Sequence, residues 1–311
     1  MTDLDLRRPF SRADAVAAGV DPALFRGPRF RRLFQRVYVD ASVAVTPRLR
    51  AEAALVPFDA SAFASHASAA RMHELPVPTL ADEHVTVVDP RHRRKRAGIC
   101  CHLSPTDDGV VVQRGVRASG PVRTFIELAE LLGLVDLVVV GDVLVKRRAV
   151  TPAQLVEACR SSDLPGAVRA LAAAKHVRSG VDSPMETRLR LLIVLAGLPE
   201  PVVDFRVRDE TGHVVRRYDL YYARSETLVE YDGRQHAESR TQWTTDIDRR
   251  EELDDQGRRL VVVTGDGIFV DPERTLRRIH RILIERGEPG VPKVLSDDWR
   301  PHFPGRKPLG R

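Results

Sequence analysis

Cysteine is scarce. Cys100, Cys101 and Cys159 are the only three in 311 residues, and they form neither an even disulfide set nor a metal-ligand spacing. A disulfide framework is excluded, and a reducing cytoplasm is the expected setting. Long apolar runs are missing too. The longest, around Leu131 to Val145, is broken by Gly133, Asp136, Gly141 and Asp142, so no segment is expected to span a membrane. The opening residues MTDLDLRRPF contain no apolar core and no cleavage site, so no signal peptide is expected. No Gly-rich phosphate loop stands between a strand and a helix, which leaves a bound small-molecule cofactor without support. There is no internal repeat.

What is present is ordinary globular material, 43% hydrophobic and 30% charged. The length suggests two or three domains. Net charge is +6 with arginine far exceeding lysine. Guanidinium forks suit phosphate oxygens, so a polyanion such as DNA is the favoured partner. An Arg-, Ala- and Val-rich chain also follows simply from a GC-rich genome.

Residues 1–45 predict two short helices and a β-wing. Ser11 can cap a helix through Ala13 and Val16 that Gly19 stops, Asp21-Pro22 opens a second, and FRRLFQRVYV alternates bulky and basic residues as a strand pair does. Arg29, Arg31, Arg32 and Arg36 cluster there and are the candidate DNA-binding residues of this module. Residues 46–178 predict an α+β domain. Its helices are expected over Arg48–Leu55, over SAFASHASAARMHELPVP, after Pro121 and after Pro152, with strands at Val85–Val88, Ile99–Leu103 and Val110–Gln113. The run DLVVVGDVLV fits a buried helix or a strand equally. Ser65-His66 suggests a nucleophile, but adjacent helical residues diverge by about 100° and no acid partner is evident, so helix packing is the stronger reading. Asp89-PRHRRKR is the densest basic run, expected as a solvated hairpin loop or a phosphate-tracking patch. A linker is expected near His176–Asp182.

Residues 183–286 carry the chemistry. Ser183-Pro184-Met185-Glu186 is a capping box, so Glu186 has a capping role and a candidate catalytic one. The stretch Tyr218–His236, YDLYYARSETLVEYDGRQH, places Asp219 in one strand and Glu230 with Asp232 in the next. Alternation puts Glu230 and Asp232 on one face, and a hairpin brings Asp219 beside them. Packed carboxylates repel unless protons or a divalent cation intervene, and hard oxygen ligands suit Mg²⁺ or Mn²⁺. Asp219 and Glu230 are the candidate metal ligands. Asp232 is a further ligand or water-orienting group, His236 a general acid or base, and Arg234 and Arg250 candidate phosphate contacts. Asp232-Gly233 is also a common turn pair, and Asp246 with Arg250 an ordinary i,i+4 ion pair. Residues 287–311 are expected to be a loosely ordered polar tail.

The order Glu186, Asp219, Glu230-Tyr-Asp232-Gly-Arg-Gln-His236, Asp246 to Arg250 resembles the restriction-endonuclease-like superfamily. It is most similar there to the domain group of unknown function related to very-short-patch-repair endonucleases. The pattern SRADAVAAGV…FRRLFQRVYV, with Ser-His-x-Ser-Ala-Ala at Ser65–Ala70, resembles AbiEi-type antitoxins of type IV toxin–antitoxin systems. These resemblances imply a multidomain α+β and α/β chain. It would comprise an N-terminal winged helix, a middle α+β domain and a C-terminal αβββαβα core with metal-dependent endonuclease activity. They also imply a cognate toxin as a partner. One departure stands out: the superfamily pattern has Lys two residues after the second acid, where this chain has Asp232. The alternative function is therefore a non-catalytic, antitoxin-type regulator with a degenerate nuclease fold.

Overall fold

The computed structural model describes residues 4–233 and 251–305. Over these residues the chain is a mixed α/β protein with three β-sheets. It divides into two compact units, one of Met1–Leu132 with Ala153–Lys175, the other of Gly133–Pro152 with His176–Arg311. The run DLVVVGDVLV is resolved as the helix Leu134–Lys146, buried on nearly all sides. A helix without a polar face shows no 3.6-residue period, which is why the pattern could not choose. This helix belongs to the second unit rather than to a middle domain ending at 178.

In the first unit, β1 (Phe10–Ser11), β2 (Phe30–Phe34) and β3 (Val37–Asp40) form an antiparallel sheet in the order β1-β3-β2. Ser11 caps the helix Arg12–Ala17 through its hydroxyl, and Asp21 caps the turn Pro22–Arg26. Phe10, Ala15 and Phe30 make the small core, with Phe25 stacked on Phe30 at 5.3 Å.

The same unit holds a five-stranded sheet. Its strands are β4 (Phe63–Ala64), β5 (Glu83–Val87), β6 (Ile99–Leu103), β7 (Val110–Gln113) and β8 (Val116–Ser119), in the order β6-β5-β4-β8-β7. The helix expected over Ser61–Pro78 is therefore shorter. It runs only from His66 to Met72, because Phe63 and Ala64 form the central strand, with Ala64 paired to both Val85 and Ala118. Strands β5 and β6 are parallel, so the basic run between them is a crossover, not a hairpin loop.

The second unit has four strands, β9 (Val202–Arg208), β10 (Val214–Tyr222), β11 (Thr227–Asp232) and β12 (Arg259–Thr264). Their order is β12-β11-β10-β9, with β11 and β12 parallel and the other neighbours antiparallel. The capped helix Pro184–Leu195 is tied to Leu134–Lys146 by a buried charge. Asp142 accepts from the Arg190 guanidinium at 3.0 Å, the Thr187 hydroxyl at 2.8 Å and the Arg178 backbone N–H at 2.8 Å. The segment near His176–Asp182 is anchored at Arg178 through the last of these bonds. Residues 287–305, expected to be loosely ordered, also pack. Trp299 and Phe303 are buried, and the Ser296 N–H donates to the Ala196 carbonyl at 2.9 Å.

Candidate active site

The capping box forms with one change of partner. The Ser183 hydroxyl accepts from the Glu186 N–H at 3.2 Å, while the Glu186 carboxylate takes the N–H of Asp182, not of Ser183, at 2.9 Å. Asp182 is held in turn by Arg217 of β10 at 2.5 Å, and Arg217 also reaches Asp204 of β9 at 2.7 Å. These ion pairs bring the first turn of the helix up to the sheet, and with it Glu186.

Asp219 is half-buried on β10. One of its oxygens accepts the Tyr231 N–H of β11 at 2.8 Å. The register pairs Leu220 with Val229 and Tyr221 with Leu228, so alternation assigns Asp219, Glu230 and Asp232 to the Tyr221–Leu228 face of the sheet. Glu230 and Asp232 are half-buried two residues apart on β11. Burial pushes the Glu186 carboxyl above the usual carboxylate range, against the Asp182 N–H that lowers it, and the neighbouring Asp219 charge raises it further. The Asp219 charge thus bears on Glu186, and Glu230 and Asp232 lie on the strand next to Asp219. Arg234, His236, Asp246 and Arg250 lie outside the described residues.

Of the N-terminal arginines, Arg29 pairs with Asp40 at 3.2 Å, and Arg31 donates to the carbonyls of Val43 and Ala41 at 3.4 and 3.3 Å. Arg32 and Arg36 are exposed, and Arg36 sits at φ 62 in the β2–β3 turn.

Sequence reasoning missed a second constellation, in the first unit. His66, His84 and His102 each offer a ring nitrogen, and these nitrogens all lie within 4.8 Å of one another. Among the described residues no other group of three or more His, Cys, Asp or Glu is so close. The acid absent from the Ser65-His66 reading also appears: Glu130 lies 3.2 Å from His66 Nε2, with the Ser65 hydroxyl 3.0 Å from Nδ1. Ser65 is nonetheless completely buried and takes the Thr86 hydroxyl at 2.7 Å, so no substrate reaches it.

Compared with known proteins, the chain matches no family model and no curated protein.

Proposed function

We propose that the chain is a DNA-binding protein whose C-terminal unit hydrolyses DNA phosphodiester bonds with Mg²⁺ or Mn²⁺. One observation carries this reading. The Asp219 charge on β10 raises Glu186 in the first turn of a helix, and Asp219 accepts the Tyr231 N–H of β11, between Glu230 and Asp232. Like charges brought together in a half-buried site oppose folding, and a cation offsets that cost. The donor set is all carboxylate oxygen, which fits a hard divalent ion.

Asp219 and Glu230 would hold the ion, with Glu186 beside them. When bound, it supplies Lewis acidity toward a phosphate oxygen and a more acidic water. The chain does the positioning. The Tyr231 N–H orients Asp219, and the Asp182 N–H, itself braced by Arg217, orients Glu186. Asp232 orients the attacking water, His236 moves its proton, and Arg234 or Arg250 stabilises the developing phosphate charge. A helix followed by the sheet β12-β11-β10-β9 supports the restriction-endonuclease-like reading of 183–286. The three-stranded sheet with exposed Arg32 and Arg36 supports a winged helix at 1–45 that meets phosphates.

The second reading is a non-catalytic, antitoxin-type regulator with a toxin partner. Asp232, where the resembled pattern has Lys, favours it. Plasmid and single-stranded DNA incubated with Mg²⁺ or Mn²⁺, wild type against Glu230→Ala, separates the two. Cleavage that needs metal and disappears in the variant, with DNA binding retained, supports the nuclease. Binding without cleavage by either protein supports the regulator, and no salt-dependent DNA binding overturns both.

A further inference from the structure

We propose that His66, His84 and His102, with Glu130 beside His66, form a binding site in the first unit for a borderline divalent cation of the Zn²⁺ type. The site is separate from the carboxylates of the second unit and does not depend on their function.

The four side chains come from four segments, two of them neighbouring strands of the sheet. His66 opens the helix after β4, His84 and His102 lie on the parallel neighbours β5 and β6, and Glu130 follows the helix Pro121–Leu128. In the parallel register His84 pairs with Cys100 and Thr86 with His102, so His84 and His102 share one face. Their rings meet at 2.9 Å, Nδ1 of His84 against Nε2 of His102. The His66 ring stacks on His102 with centroids 3.7 Å apart. The Glu130 carboxylate, one-third exposed, reaches His66 Nε2 at 3.2 Å.

Three features point to a cation rather than to packing alone. The first is donor chemistry. His66 and His84 are buried and His102 half-buried, their ring nitrogens all within 4.8 Å of one another, and burial favours the neutral imidazole that ligates Zn²⁺, Cu²⁺ or Ni²⁺. The His84–His102 contact needs a shared proton. A cation can take that proton's place, with the proton moving to the far nitrogen of its own ring.

The second feature is backbone strain. His66 has φ 48, in the left-handed region, although it is not glycine. Such residues cost about 1–3 kcal/mol and concentrate at functional sites. The His66 N–H is fixed there by the Glu127 carboxylate at 2.9 Å, so the strain aims one particular ring at the other two. The third is access. A cavity of about 220 Å³ is lined by His66, His102, Glu130 and Arg93, which opens the cluster from one side.

The nearby charges balance. Arg123 is committed to Glu127 at 2.8 Å and to the Ser104 hydroxyl at 2.8 Å. Arg93, on the basic crossover, and Glu130 both line the cavity. Three imidazoles make a nitrogen set typical of zinc, with the Glu130 carboxylate beside His66, whereas Mg²⁺ would demand oxygen throughout. A bound ion would staple the edge strand β6 to β5 and to the strained turn at His66. The expected role is therefore structural, holding the base of the basic crossover.

The test uses the full chain, stripped with chelator and titrated with Co²⁺ followed by visible absorption. The variants are Glu230→Ala, His102→Ala and His102→Gln. His102 is half-buried on an edge strand, so its replacement should spare the fold, and circular dichroism verifies this. The expected result is a tetrahedral Co²⁺ spectrum retained in Glu230→Ala. In both His102 variants affinity should fall more than about 100-fold, beyond the usual cost of losing an outer-shell partner. Zn²⁺ should displace the Co²⁺ and raise the wild-type Tm by mass action. X-ray absorption of the Zn²⁺-loaded wild type, which needs no variant, should report a shell dominated by imidazole nitrogen. An oxygen-only shell, no tetrahedral Co²⁺ spectrum, or Co²⁺ binding unchanged in folded His102 variants would overturn the proposal.

Discussion

The buried histidines make acid a selective perturbation of the first unit. Burial, and then the charge of Arg123, lowers His66 from 6.5 to about 4. A folded value below the unfolded one means that the unfolded chain takes up the proton first. The stability tied to a neutral His66 is therefore complete above the unfolded value and is lost as pH falls from 6.5 toward 4. For this pair of values the loss between pH 7 and pH 5 works out to about 2 kcal/mol. His84 and His102 shift in the same direction, but the three rings repel once charged, so their losses do not simply add. Most carboxylates begin to protonate only below this window, which leaves it largely to histidine. The comparison variant is His66→Asn, because Asn tolerates the left-handed backbone best among non-glycine residues. Urea unfolding at pH 7 and pH 5, followed on the histidine ring resonances, should show the variant losing about 2 kcal/mol less than wild type over the interval. A His66 ring that titrates near 6.5 in the folded protein would refute the reasoning.

Other predictions concern the second unit and the N-terminal module. Asp142→Ala leaves the completely buried Arg190 without its closest carboxylate, so chemical unfolding should show a loss of about 3–5 kcal/mol. Arg217→Ala removes two half-exposed ion pairs. It should change stability by no more than about 1 kcal/mol yet raise the metal concentration needed for half-maximal cleavage, since Arg217 braces the turn that carries Glu186. Glu186→Gln keeps an acceptor for the Asp182 N–H while deleting a charge that burial and Asp219 oppose. Because the folded carboxyl sits above its unfolded value, the variant should be the more stable at neutral pH, with the advantage shrinking as pH falls. Arg32→Ala and Arg36→Ala should each lower the salt dependence of duplex DNA binding by about one phosphate contact; an unchanged slope would remove them from the interface.

Much of the fold could be read in the sequence wherever a local signal sufficed. Pro121, Pro152, Ser183-Pro184 and Asp271-Pro272 all start helices where they stand, because a proline at the first helical position gives up an N–H that has no partner anyway. Where pairing decides, local signals failed. Phe63–Ala64 is too short to alternate, and small, buried side chains on both sides resemble a helix in sequence. Only β5 and β8, reached 21 and 54 residues later through the pairs Ala64–Val85 and Ala64–Ala118, make it a strand. Trp299 and Phe303 sit among polar and proline residues, and nothing local reveals that they bury.

The two constellations differ in legibility for the same physical reason. Asp219, Glu230 and Asp232 lie on antiparallel neighbours joined by a tight turn, so sequence distance and spatial distance agree. The structure adds the helix contribution through the Asp182 N–H, which Glu186 accepts, and through Arg217, which pairs with the Asp182 carboxylate. His66, His84 and His102 are each 18 residues apart, with no close-spaced ligand pair among them, and a parallel crossover brings two of them together. The available signal was a single histidine inside each of two β-rich runs, at positions that must face a core. A lone core histidine ordinarily needs only one hydrogen-bond partner. Three that find each other, with one of them on a strained backbone, go beyond what packing requires. In the first unit the cost of burying polar rings is met by their mutual contacts and neutrality. In the second, like-charged carboxylates on adjoining strands repel, and under the proposed function a divalent ion would offset that repulsion at neutral pH.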